Sequence, residues 1–207
     1  MSGVLARILF YPTLAYNVVM EKISSRQWFN RLDGTVILGA LPFRSMTEEL
    51  VQKEKVSGVI TMNEEYETKY FCNSTEEWRA VGVEQIRLDT VDLTGVPSLE
   101  HIHKGVDFAL RHREQGTSVY IHCKAGRSRS ATVAAAYLIR KICPRHAHVS
   151  DKILEDFAKE GFVMSRIANT QEACQTLASV RPHVLIHSGQ LEMLRQYHQQ
   201  VCSSYSS

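Results

Sequence analysis

Hydrophobic positions along the chain fall into short blocks rather than one long periodic run. "TVILG" (35–39), "SGVITM" (57–62), "EQIRLDT" (84–90) and "SVYIHC" (118–123) are brief β-branched or aromatic stretches, and they read as strands. Between them, apolar residues recur at helical spacing. "SMTEELVQKE" opens with Ser45 three before Glu48, and "STEEWRAVG" opens with Ser74 three before Glu77 and closes on Gly82. Both patterns predict a helix begun by a capping box. "SLEHIHKGVDFALRHREQG" follows Pro97, sets Ile102, Val106, Ala109 and Leu110 on one face and stops at Gly116. "RSATVAAAYLIRK" (129–141) predicts a mostly apolar helix ending near Pro144, with further helices predicted near 150–160, 170–180 and 189–201. Short strands alternating with helices predict an α/β domain, a central short-stranded sheet flanked by helices with a helical C-terminal region.

The N-terminus breaks this alternation. "MSGVLARILFYPTLAYNVVM" carries one charge, Arg7, and no acid precedes Glu21. The uncharged run from Ile8 to Met20 is too short to span a bilayer, and Pro12 interrupts it. It shows no secretory cleavage site; its lack of acid suits a mitochondrial presequence, for which one arginine is thin. Two readings stand side by side: an apolar helix packed on the domain, and a membrane segment lying at an interface between Arg7 and Lys22. The expected division is an apolar targeting or membrane segment over 1–27 and a catalytic domain over 28–202.

Composition changes the picture little. The 207 residues suit one domain, 44% of them are hydrophobic, and no repeat or metal-ligand spacing is present. A net charge of +2 is too small to argue for nucleic acid, so basic character must be local. Cys72, Cys123, Cys143, Cys174 and Cys202 are odd in number and irregularly spaced, which points to free thiols in a reducing compartment.

Basic character concentrates in "HCKAGRSRSA" (122–131), where Lys124, Arg127 and Arg129 lie within six positions of Cys123. The loop joins an apolar strand to a predicted helix, a turn that aims backbone N–H groups and a helix N-terminus at one spot. Gly126 allows a tight turn and close approach. Arg129 can grip two oxygens of a tetrahedral oxyanion, and the field lowers the Cys123 pKa toward thiolate. A thiolate there can attack phosphorus and form a phosphocysteine. Lys124, Ala125, Gly126, Arg127 and Ser128 form the candidate phosphate-binding loop. A leaving alkoxide needs a proton, and "LDTVDLTGVP" (88–97) offers Asp89 and Asp92. The apolar N-terminal run holds no residue type this chemistry needs.

His122, Cys123, Arg129 and Ser130 match the His-Cys-x5-Arg-Ser/Thr signature, so the chain resembles the cysteine-based phosphatases. In their dual-specificity branch the general acid is an aspartate on the loop before the helix that leads to the signature strand. Asp92 fits that place best and Asp89 is the runner-up. Ser130 resembles the residue that helps stabilise the departing thiolate, and no metal or other cofactor is implied.

"LFYPTLAYNV", "GALPFRSMT", "GVITMNEEYET", "TVDLTG" and "HCKAGRSRSATVAAAYLI" together are similar to the mitochondrial lipid phosphatases of this superfamily, as is the stretch over 171–200. That resemblance implies hydrolysis of phosphatidylglycerophosphate to phosphatidylglycerol, a step of cardiolipin synthesis, by a peripheral enzyme of the inner mitochondrial membrane. It also places "EEYE" (64–67) in the active-site surroundings, which makes Tyr66 and Glu67 candidate substrate-binding residues. Residues 145–168 depart from the family pattern and read as an insertion with its own helix signal. Two other readings remain: a dual-specificity protein phosphatase or phosphoinositide phosphatase with the same catalytic set, and a silent phosphate-binding scaffold, which would need neither thiolate nor acid.

Overall fold

A computed structural model of the chain describes residues 3–142 and 170–202. The expected insertion over 145–168, the helix near 150–160 and Cys143 lie outside the described residues. Helix α1 (Gly3–Ile23) leads into β1 (Phe29–Arg31) and β2 (Val36–Gly39). After them come β3 (Val56–Thr61), α2 (Glu65–Thr68), α3 (Thr75–Ala80) and β4 (Glu84–Arg87). Helix α4 (Leu99–Glu114), β5 (Ser118–His122), α5 (Arg129–Ile142), α6 (Thr170–Val180) and α7 (Ser188–Cys202) complete the order.

The strands form one sheet ordered β1-β2-β5-β3-β4, parallel except for the antiparallel β1–β2 pair. Strand β5 is central, with Gly39 and Thr61 of its two neighbours both level with His122. All five of its residues are buried, as a central parallel strand covered on both faces requires. Val119 and Ile121 face a core shared with α4, α5, α6 and α7. Tyr120 faces the opposite core, with Trp78, Leu50 and Val59. A register shift between Val56 and Gly58 lets Val56 and Val59 serve that second core together. At Gly58 a Cβ would meet His112 at 2.6 Å and Phe108 at 2.7 Å, so glycine lets α4 lie close on the sheet. Alanines 131, 134, 135 and 136 are buried along α5, which packs between the sheet and three other helices.

Several boundaries follow the sequence signals. Ser74 and Glu77 form the expected capping box, and Gly82 ends that segment at φ 78°. Ser98 caps α4 by accepting from the His101 N–H, and Gly116 follows the helix at φ 67°. The capping box at Ser45 does not form. That stretch is a 3₁₀ turn over Arg44–Met46 and a π-helical turn over Glu49–Lys53, with no side-chain cap. Arg44 starts it one residue early, because its N–H bonds the Phe71 carbonyl and its guanidinium bonds the Tyr70 carbonyl and Glu77. Nor does Pro12 interrupt α1. It lies on the exposed side, and the Thr13 hydroxyl donates to the Leu9 carbonyl at 2.6 Å in the turn that lacks an amide. Helix α1 packs on the body through Phe10 and Leu14, which are buried with Leu41 and Cys72.

Candidate active site

Cys123 follows the last residue of β5, where the parallel sheet ends, and α5 begins six residues later at Arg129. The carboxyl end of a strand at which the chain order reverses is where an open α/β sheet presents a crevice. Gly126 sits at φ 64°, and a Cβ there would meet the Gly39 carbonyl oxygen at 2.4 Å. Only glycine lets the loop cross the end of β2 so closely. Burial pushes the Cys123 thiol up. The Arg129 charge, the Ser130 hydroxyl at 3.2 Å and the backbone N–H groups of Ser130 and Arg127 outweigh it, and its pKa falls below the ordinary thiol value. The neighbouring His122 is driven down to about 3 by burial, so its imidazole is neutral at physiological pH, and its Nε2 lies 2.9 Å from the Thr61 hydroxyl.

Arg129 is 2% exposed, and its terminal nitrogens are held from several sides. Nη1 donates to Glu67 Oε1 at 2.8 Å and to the Thr90 carbonyl at 2.7 Å. Nη2 donates to Glu67 Oε2 at 3.0 Å and to Asp92 Oδ1 at 2.8 Å. Glu67 is 0% exposed and is itself fixed, because its carboxylate accepts from the Asn63 amide and from the Glu64 N–H that closes the capping box of α2. This bidentate fork fixes the plane of the guanidinium. The Asp92 contact is the one an incoming oxyanion can replace.

Asp92 is buried and bridges two cations, Arg129 through Oδ1 and Lys124 through Oδ2. Asp89 points away, exposed and 3.6 Å from Arg87. Lys124 Nζ also donates to Thr13 Oγ1 of α1 at 2.7 Å and lies 5.6 Å from the centre of the Phe10 ring. The N-terminal run, expected to hold no residue type the chemistry needs, nonetheless meets the site through Thr13. Thr13 lies on the same side of the helix as Phe10, Leu14 and Asn17, one polar group on an inward face, and that pattern is the signal in the sequence that marks it.

A cavity of about 280 Å³ opens over Cys123, walled by Asp92, Lys124, Arg127, Ser128 and Arg129 together with Thr13, Tyr16 and Asn17 of α1. Ala125 also lines it, whereas Gly126 and Ser130 act from behind. Tyr66 and Glu67, expected to touch substrate, are not in this wall. Glu67 is spent on Arg129, and Tyr66 packs edge-on to Phe10 with Arg7 5.2 Å over its ring. The Tyr66 hydroxyl is pushed up to about 12 by burial, then by Glu67 and Glu64.

Two supporting residues were not anticipated. Buried Arg181, just after α6, donates to the Gly126 carbonyl at 2.8 Å, the Ala125 carbonyl at 3.1 Å and the Gln27 carbonyl at 3.1 Å. Gln190 of α7 accepts from Ser128 Oγ at 2.9 Å and donates to the Gly95 carbonyl at 3.4 Å, joining the cysteine loop to the aspartate loop. Nothing in the local spacing of either residue says what it meets.

A nucleophilic thiol, a buried arginine fork and a carboxylate on a separate loop form the arrangement of a phosphate-ester hydrolase. Comparison agrees: the family model described as the dual specificity phosphatase catalytic domain matches residues 49–155. The chain belongs to this family. It is 48% identical over 200 residues to human phosphatidylglycerophosphatase and protein-tyrosine phosphatase 1, covering 95% of this chain and 88% of that one. It is 33% identical to an Arabidopsis thaliana phosphatidylglycerophosphate phosphatase, covering 99% of this chain but 53% of the longer plant protein. Among solved structures, that of PTPMT1 in complex with PI(5)P superposes with a TM-score of 0.70 at 46% identity, over 86% of this chain and 98% of that one. The dual-specificity phosphatase fold expected from the cysteine signature is thus the fold of the protein, and the chain is a phosphatase.

Proposed function

We propose that this phosphatase hydrolyses phosphatidylglycerophosphate to phosphatidylglycerol and inorganic phosphate, the step that feeds cardiolipin synthesis, as a peripheral enzyme of the inner mitochondrial membrane. Relatives that bear this activity in their names support the substrate. The carrying observation is the outer side of α1. Ile8, Tyr16, Val19 and Ile23 fall on one side of the helix and are 65%, 53%, 52% and 72% exposed. That apolar side runs into the cavity mouth, where Tyr16, Leu93 and Leu185 stand as exposed rim residues. Among the described residues no helix is long and apolar enough to cross a membrane. The arrangement therefore favours a protein that lies on a bilayer and draws a lipid headgroup inward.

In this reading the substrate phosphate takes the place of the Asp92 carboxylate on Arg129, and the Cys123 thiolate attacks phosphorus. The P–O bond to glycerol breaks, and Asp92 gives its proton to the departing alkoxide. Water then attacks the phosphocysteine with Asp92 as base, and the sulfur leaves as thiolate beside the Ser130 hydroxyl. The Ala125 to Ser128 backbone and Lys124 complete the phosphate site. The segment over 1–27 serves as membrane contact as well as wall. The test is phosphate release from phosphatidylglycerophosphate in vesicles, set beside a panel of phosphopeptides. Wild type is expected to favour the lipid and Cys123→Ser to release none. Faster turnover of the peptides would replace this reading with a protein phosphatase.

A further inference from the structure

Beside the catalytic cavity lies a second, shallow depression of about 20 Å³, whose wall includes Asn17, Glu21, Arg26, Arg127, Arg181 and His183. Asn17, Ala125 and Arg127 line both spaces, so one passes into the other along the cysteine loop. The cations in the second space are not equivalent. Arg181 is consumed by main-chain carbonyls and Asn30. Arg127 is held only at its base: Nε donates to the His183 carbonyl at 2.8 Å, and its own carbonyl accepts from the Leu185 N–H at 2.7 Å. That anchoring leaves both terminal nitrogens of Arg127 without a protein acceptor among the described residues. Arg26, in the turn between α1 and β1, is half-buried and has no carboxylate within ion-pair distance among them. Among the described residues Glu21 is the one acid in the wall, set against these two guanidinium groups. The local field is positive. Burial lowers the His183 pKa to about 4, and Arg181, Arg127 and Arg26 push the same way, so the ring is a neutral donor or acceptor at physiological pH.

Two unpaired arginines that line one depression, one of them on the phosphate-binding loop itself, suit a second anion on the same molecule. We propose that Arg26 and the terminal nitrogens of Arg127 form a second anion subsite, which binds another phosphate of a substrate whose monoester sits over Cys123. The occupant is a phosphate joined to the reacting one through a short polyol, a description that fits a phosphodiester-linked lipid headgroup and excludes a simple monoester. Its identity as a lipid rests on the function proposed above; the subsite itself does not. Because the depression is shallow, the second anion keeps water on its outer side, and Arg26 acts as a specificity residue rather than a catalytic one.

Soluble probes separate the two ideas. Glycerol 1,3-bisphosphate and glycerol 3-phosphate are titrated calorimetrically into the Cys123→Ser protein, alone and combined with Arg26→Gln or Arg26→Lys. The bisphosphate is expected to bind about tenfold tighter, the scale of one charge-assisted contact at a half-exposed site. Arg26→Gln should erase most of that ratio and Arg26→Lys should keep part of it, with melting curves confirming that each variant is folded. A ratio that Arg26→Gln leaves intact, or equal weakening of both probes, overturns the subsite. A ratio that depends on Arg26 in an enzyme that prefers phosphopeptides to vesicles keeps the subsite and removes the lipid.

Discussion

The two walls of the catalytic cavity are built on opposite principles. On the inner side, the wall residue Arg129 is buried and held from behind by Glu67 through two hydrogen bonds, with Asn63 and the Thr90 carbonyl as backing. On the side of α1, one hydroxyl, Thr13, meets Lys124, Phe10 and Leu14 are the buried anchors, Tyr16 and Asn17 line the cavity, and Ile8, Val19 and Ile23 look outward. A buried ion pair adds little net stability, because desolvation offsets its attraction, but it holds a charge in one geometry. That is what a guanidinium facing a phosphate requires. The α1 wall has a looser task, since it must bound the cavity while presenting an apolar face to something large.

The sharpest way to break this contrast is Glu67→Ala. It strands the Arg129 charge in a buried site, and the loss of one partner of such a pair costs about 3–5 kcal/mol. Chemical denaturation should show that loss, and phosphatase activity should fall mainly in kcat. A stable, active Glu67→Ala protein would mean that the fork does not position Arg129. Next in size is Asp92→Asn, which should slow alkyl phosphates by roughly 10²–10⁴-fold, the usual yield of general acid catalysis. Aryl phosphates, whose phenolate leaves unaided, should suffer much less. Asp89→Asn should leave the leaving-group dependence untouched, and the reverse result would move the acid to Asp89.

The inner wall was half legible in the sequence and the α1 wall hardly at all. Cys123, Arg129 and Ser130 declare themselves because a strand-to-helix loop brings neighbours in sequence together in space. Asp92 could be chosen over Asp89 only by family resemblance, and the geometry separates them by burial. Glu67 was named, yet as a substrate contact, because residues 62 positions apart give no sign of a shared hydrogen bond. Strands β2, β3 and β5 were visible as apolar runs and β4 as part of the longer stretch 84–90, whereas β1 is three residues long and carries no alternation to detect. Arg181 and Gln190 escaped because their partners are main-chain carbonyls and a loop serine, which any sequence could supply.

A smaller effect is expected from Ser130→Ala. Its hydroxyl stabilises the charged form of Cys123, so its removal raises the thiol pKa back toward the ordinary value. At a given acidic pH less thiolate is then present, and the acid limb of the kcat/KM profile should move to higher pH. The deficit should shrink as pH rises past that limb. An unchanged kcat/KM profile with a lowered kcat would instead assign Ser130 to hydrolysis of the phosphocysteine alone.

The smallest effect probes the α1 wall itself. Thr13→Val keeps the branched shape but deletes the oxygen that accepts from Lys124, along with the bond to the Leu9 carbonyl. Lys124 still has Asp92, so its charge is not stranded. The stability cost should therefore stay near the net worth of one hydrogen bond, about 0.5–1.5 kcal/mol. Lys124 would be freer to move, and with it the Asp92 carboxylate, so kcat/KM on a soluble aryl phosphate should drop by only a few-fold. Membrane binding should not change, because Thr13 points into the cavity and the exposed side of the helix is intact. A loss that matched Asp92→Asn in size and leaving-group dependence would show that α1 sets the position of the acid. The outer wall would then be as exacting as the inner one, and the contrast drawn between them would fail.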